Sequence, residues 1–121
     1  KVPLFTLEER LDLLRQITVG INNVEITSFR GLLIDFTQSI GAKVIVRGLR
    51  AATDFESELQ TAHANADIGP SIETIFLPTR TNYGFVSASL VREIASHHGD
   101  VLRYVEPPVA EALRKKYSQR R

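Results

Sequence analysis

Two arginines flank a glycine and a leucine where an apolar run ends, in Val44-Ile45-Val46-Arg47-Gly48-Leu49-Arg50, and Thr53-Asp54-Phe55-Glu56 follows at once. A guanidinium is a planar fork of donors that matches a phosphate or a carboxylate. Gly48 between the forks lets backbone approach a ligand where a side chain would collide. The chemistry open to such a group is anion binding and stabilisation of developing negative charge, with no nucleophile required. A second reading stays open beside it, in which Arg47 and Arg50 cap carbonyls or pair with Asp54, Glu56 and Glu58.

A second group lies in Tyr83-Gly84-Phe85-Val86-Ser87-Ala88-Ser89, with Leu90, Val91 and Arg92 following. A polar loop that opens a helix presents free amides and the positive end of the helix dipole, both suited to phosphate. Serine hydroxyls add donors, and Arg92 lies one turn on. The competing reading is an ordinary serine-capped helix. His63, His97 and His98 do not place two ligands on one helical face with a nearby carboxylate, so no metal site is assigned. His97 and His98 beside Gly99 suit the negative end of a helix instead. The basic residues Arg114, Lys115, Lys116, Arg120 and Arg121 lack the interleaved aromatics of a nucleic-acid surface and read as a solvated face.

These groups need strand ends and helix starts to hold them. Thr6-Leu7-Glu8-Glu9 is a capping box, and Leu7, Leu11, Leu14 and Ile17 recur on one face, giving a helix over about 6–18. Alternation predicts a strand over 24–29. Gly31 precedes a helix through Leu33, Phe36 and Ile40, which Gly41 ends by tolerating positive φ. The run 43–46 reads as a strand buried on both faces. Thr53-Asp54-Phe55-Glu56 reads as a second capping box, opening a helix to about Ala66 that Gly69-Pro70 stops. A strand over 72–77 follows, then a helix from Ser87 or Ser89 that ends at Gly99. Asp100 starts a turn, and Pro107-Pro108 introduces a last helix to about Tyr117. Alternating strands and helices imply an α/β fold with a parallel sheet, and open sheets of this kind bind ligands at their strand ends.

The whole is read as a single domain, 1–121, with a core supported by 43% hydrophobic residues. Fifteen basic against fourteen acidic residues leave a formal charge of +1, which argues against a polyanion-coating surface and leaves phosphate recognition to local arginines. The lack of cysteine excludes disulfides, thiolate catalysis and zinc-thiolate sites. No apolar run approaches a membrane span, and a soluble, cytoplasmic protein is expected.

Taken together, the strand end at 44–50 and the G-F-V-S-A-S-L-V-R segment resemble the phosphopantetheine adenylyltransferases, from Lys1 to about Tyr117. The second segment is similar to the I-S-S-S/T-x-x-R/K signature of nucleotidyltransferases, with Ala88 in place of a usual serine. The resemblance implies a Rossmann-like fold whose parallel sheet is flanked by helices, and transfer of an adenylyl group from ATP to 4′-phosphopantetheine. Dephospho-coenzyme A and pyrophosphate are the implied products, coenzyme A a related ligand, Mg2+ the companion of ATP, and a homo-hexamer the assembly.

The resemblance further implies that Lys1, Leu33 and Arg47 contact the acceptor. It assigns Gly48, Leu49, Arg50, Glu58, Tyr83, Gly84, Phe85, Val86, Ser87, Ala88 and Ser89 to ATP, and a phosphate contact to Arg92. The family's opening strand, glycine-rich turn and T/H-x-G-H motif, which supplies its catalytic histidine, are not found here. Neither is a methionine, so the chain is read as lacking the first βαβ portion and as poorly active by itself. A nucleotidyltransferase with another acceptor, or a silent nucleotide-binding or assembly module, are the alternative readings. Ser57 stands where the family commonly has tyrosine and Ala66 where a basic residue is usual, which bears on acceptor fit or subunit contact.

Overall fold

The computed structural model of the chain describes residues 2–119. Its elements are α1 (Leu7–Ile17), α2 (Leu33–Ser39), β1 (Val44–Leu49), α3 (Ala52–Ile68), β2 (Glu73–Pro78), a single 3-10 turn at Thr81–Tyr83, α4 (Ala88–Ser96) and α5 (Pro107–Gln119). They belong to two compact units, one comprising residues 29–85 and the other residues 2–28 with 86–119.

In the unit formed by residues 29–85, β1 and β2 are parallel neighbours, with Ile45 opposite Thr74 and Arg47 opposite Phe76. α3 connects them, as a parallel pair requires a crossover. Because side chains alternate along a strand, Ile45, Arg47 and Leu49 share one face. Ile45 packs there in a cluster with Ile34 and Ile72, of which Ile34 is fully enclosed. Phe76 meets Phe55 of α3 edge to face at 5.8 Å. Gly41 follows α2 with φ +71°, the left-handed turn anticipated for it.

Three readings of this region are corrected. The strand at β1 is covered on one face only, since Val44 and Val46, with Ile75 and Leu77 beside them, are 43, 58, 47 and 57% exposed. A β-branched run records strand preference, whereas the number of layers that cover it is decided by distant chain. Residues 24–29 form no strand, because the described sheet consists of β1 and β2 and offers this segment no ladder. Phe29 stacks instead on Phe36 of α2, ring centroids 4.8 Å apart. The second capping box also fails: α3 begins at Ala52 with Ala51 in the N-cap position, so Thr53 lies inside the helix. Asp54, in the first turn of the helix, is engaged by Arg50.

In the other unit, Val91 and Ala95 of α4 and Leu113 of α5 form a core with Val101, and Leu4 and Phe5 pack against it. The capping box of α1 is complete: Glu9 N donates to Thr6 Oγ1 at 3.1 Å and Thr6 N to Glu9 Oε1 at 2.8 Å. Such a cap contributes about 1 kcal/mol. Lys116 of α5 then reaches Glu9 Oε2 at 3.0 Å and lies 5.8 Å from the centre of the Phe5 ring, joining α1 to α5 by charge. Helix α4 ends with His98 at φ +63°, while Gly99 has ordinary φ. Space demands the glycine, because a Cβ there would stand 2.6 Å from Ile94 Cγ2. Asp100 Oδ1 accepts from Leu102 N at 2.9 Å, forming the anticipated turn.

Candidate functional site

The strand end at β1 delivers two guanidinium groups onto α3. Arg47 is the fourth residue of β1 and points to the covered face, where its Nε and Nη2 donate to the two carboxylate oxygens of Glu58 at 2.9 and 2.7 Å. Arg50 follows the strand and donates from Nε to Asp54 Oδ2 at 3.1 Å. Asp54 and Glu58 are one helical turn apart, so one face of α3 carries both carboxylates. The hydrogen bond from Arg47 and its charge hold the Glu58 carboxyl below its ordinary range, against a smaller opposing effect of Asp54. The same bond raises the Arg47 pKa.

The structure thus realises the pairing read as the alternative for both arginines. It does not remove their capacity for anions, because both are nearly half exposed at the side chain. Pairs of this exposure contribute little to stability, and they leave part of each guanidinium open to solvent and to an anion. Gly48, between the two, has no heavy atom within 4 Å of where a Cβ would stand, so the space beside it is open to a ligand. Leu49 is half-buried at the strand's end. Leu33 starts α2 and packs on the Ile34, Ile45 and Ile72 cluster. Tyr83 closes the 3-10 turn, and Tyr83 and Phe85 are exposed on either side of the half-buried Gly84. Lys1 lies outside the described residues.

The remaining assigned residues form a separate group in the other unit. Ser87 is the N-cap of α4, its Oγ accepting from Leu90 N at 3.1 Å. Ala88 and Ser89 are the first helical residues, whose amides an α-helix cannot satisfy from within. Among the described residues Arg92 makes only a long contact, 3.4 Å, to Ser89 Oγ. Val86, Ser87, Ala88 and Arg92 line a cleft of about 690 Å³ together with Leu4, Phe5, Tyr104, Val109 and Tyr117, while Ser89 stands outside its lining. Most of this wall is apolar, and Arg10, Ser87 and Arg92 supply polar groups. The sequence reading missed Arg10, Tyr104 and Tyr117, since residues so far apart in the chain leave no local spacing by which to find them.

A parallel strand pair joined by a crossover helix, with arginines at the end of one strand, is an α/β arrangement that places cationic groups where such sheets bind ligands. Residues 1–94 match the family described as cytidylyltransferase-like. A protein of Heliobacterium modesticaldum named phosphopantetheine adenylyltransferase is 49% identical over 117 residues, covering 97% of this chain and 70% of that protein. One of the same name from Deinococcus radiodurans is 50% identical over 116 residues, covering 96% of this chain and 69% of its own length. The chain belongs to the cytidylyltransferase-like family and, within it, to the phosphopantetheine adenylyltransferases.

Proposed function

We infer that this protein transfers an adenylyl group from ATP to 4′-phosphopantetheine, giving dephospho-coenzyme A and pyrophosphate. The observation that carries the reading is near-50% identity with phosphopantetheine adenylyltransferases across almost the whole chain. In the reaction an oxygen of the acceptor phosphate attacks the α-phosphorus of ATP, a new P–O–P bridge forms, the bond to the β-phosphate oxygen breaks, and pyrophosphate leaves. Little covalent chemistry falls to the protein, so its contribution is positioning and charge stabilisation.

Arg47 takes the acceptor phosphate, with Lys1 and Leu33 as further acceptor contacts. Gly48, Leu49, Arg50 and Glu58, with the segment from Tyr83 to Ser89, take ATP. Two observations favour this division: the unfilled space beside Gly48, and the α4 amides at the edge of a cleft. Mg2+ enters as part of the nucleotide substrate. A hexameric assembly and a cytoplasmic location complete the proposal. Among the described residues no helix is long and apolar enough to cross a membrane.

The test is calorimetric titration of the chain with MgATP and with 4′-phosphopantetheine, before and after Arg47→Ala. Both ligands bind, and the substitution costs about 1.5–3 kcal/mol on the acceptor while leaving ATP nearly unchanged, as loss of a charge-assisted bond requires. Equal losses for both ligands, or none for either, would overturn the division of roles.

A further inference from the structure

Arg47 meets Glu58 side-on. Its Nε and Nη2 are committed to two different carboxylate oxygens, at 2.9 and 2.7 Å. Nη1, at the far edge of the fork, has no acceptor among the described residues. A guanidinium held along one edge by two parallel bonds keeps its plane and direction, so the remaining edge is aimed as well. The carboxylate that holds it is carried by a helix packed on the sheet. Glu58 sits on α3, and one turn earlier Phe55 of the same helix is locked edge to face against Phe76 of β2. Support of this kind from a regular element fixes a neighbouring group more exactly than a loop would.

We propose that Glu58 is a positioning residue for Arg47, holding its Nε–Nη2 edge so that the Nη1 edge is presented to a phosphomonoester, the phosphate of the acceptor. This rests on the reading of Arg47 as the acceptor-phosphate contact. It gives Glu58 a task on the acceptor side that its assignment to ATP does not contain. The physical gain is pre-organisation: an arginine already ordered does not lose its rotamer freedom when the ligand arrives, a saving of about two- to tenfold in affinity. The opposing effect is repulsion between the carboxylate and the incoming phosphate. Holding the carboxylate on the edge away from Nη1 keeps that repulsion small.

The experiment uses the full chain as wild type, Glu58→Gln and Arg47→Ala. Calorimetry is run with 4′-phosphopantetheine, with pantetheine lacking the phosphate, and with MgATP. Glu58→Gln, which keeps shape and loses charge, weakens phosphopantetheine binding about two- to tenfold and leaves pantetheine unchanged, whereas general damage to the fold would weaken both. An NMR correlation of the Arg47 Nε proton supplies a readout that needs no ligand: it is protected from exchange in the wild type and exposed in Glu58→Gln. An unprotected Nε proton in the wild type, or an acceptor affinity that is unchanged or improved in Glu58→Gln, overturns the proposal. If Arg47→Ala binds phosphopantetheine as the wild type does, or the wild type does not bind it, the acceptor reading of Arg47 fails instead.

Discussion

Ser87 Oγ accepts from Leu90 N at 3.1 Å, so the side chain at the start of α4 is held in place by the helix it caps. Its O–H proton can still donate to an anion, and beside it stand the amides of Ala88 and Ser89. Ala88→Pro separates the two contributions, because proline at the first helical position removes one N–H without breaking the helix. Ser87 already has the extended backbone, φ −136° and ψ 159°, that a residue before proline adopts. We expect Ala88→Pro to weaken MgATP binding by about 1.5–3 kcal/mol, the worth of a hydrogen bond to a charged group, and Ser89→Ala by much less. Titration calorimetry decides it. Equal damage from the two would show that hydroxyl contacts dominate.

Glu9 ties two interactions together: it closes the capping box of α1 and receives Lys116 of α5. Its carboxyl is held below the ordinary range, chiefly by the Thr6 N–H and then by Lys116. A depressed carboxyl stabilises the fold above its unfolded pKa, and the gain is lost as pH falls through the lower folded value. Glu9→Gln should therefore lower the melting temperature at neutral pH, with the difference from wild type shrinking as acid protonates the wild-type Glu9 carboxylate. A gap that stays constant through the acid range would show that the charge of Glu9 is not what stabilises.

At the end of α3, a Cβ on Gly69 would stand 2.9 Å from both Cδ1 and Cγ1 of Ile34, the most enclosed side chain of its unit. Gly69 has φ −126°, so its backbone accepts any residue and the obstacle is purely steric. Gly69→Ala should cost about 1–3 kcal/mol by overpacking. Ile34→Val removes one of the two clashing carbons at about 0.5–1.5 kcal/mol. The double mutant should then be more stable than the sum of the two losses, a coupling that urea denaturation measures. Simple additivity would mean that Ile34 moves aside unaided.

What the sequence made legible was local. Thr6 and Glu9 are three residues apart, and their box forms as read. Gly41 needs only its own backbone to end α2. The β-branched run at Val44 correctly announced a strand, and Arg47 and Arg50 at its end were identifiable from residue type. Their partners stayed open because Asp54, Glu56 and Glu58 are all within reach, and only the turn of α3 selects two of them. Thr53 looked like a cap for want of that same fact. The alternation of residues 24–29 misled because a strand is defined by a neighbour, and periodicity in one segment says nothing of whether one is present.

The uncovered face of the sheet makes the last prediction. Val44, Val46, Ile75 and Leu77 project from adjacent strands on the side opposite α3, and all four are substantially exposed. Val46 and Ile75 are direct partners in the register, which makes the patch continuous across the two strands. A contiguous apolar surface of this kind favours association in solution. A charge at its centre works against stacking of one such face on another, at little cost to the fold since both positions already meet water. We expect the 121-residue chain to self-associate with rising concentration in sedimentation velocity, and Val46→Lys or Ile75→Lys to shift it towards monomer with unchanged far-ultraviolet circular dichroism. The double substitution should shift it further, because the two sites adjoin. If the wild-type chain stays monomeric throughout the micromolar range, or if the lysines leave its association untouched, this face is not where copies of the chain meet.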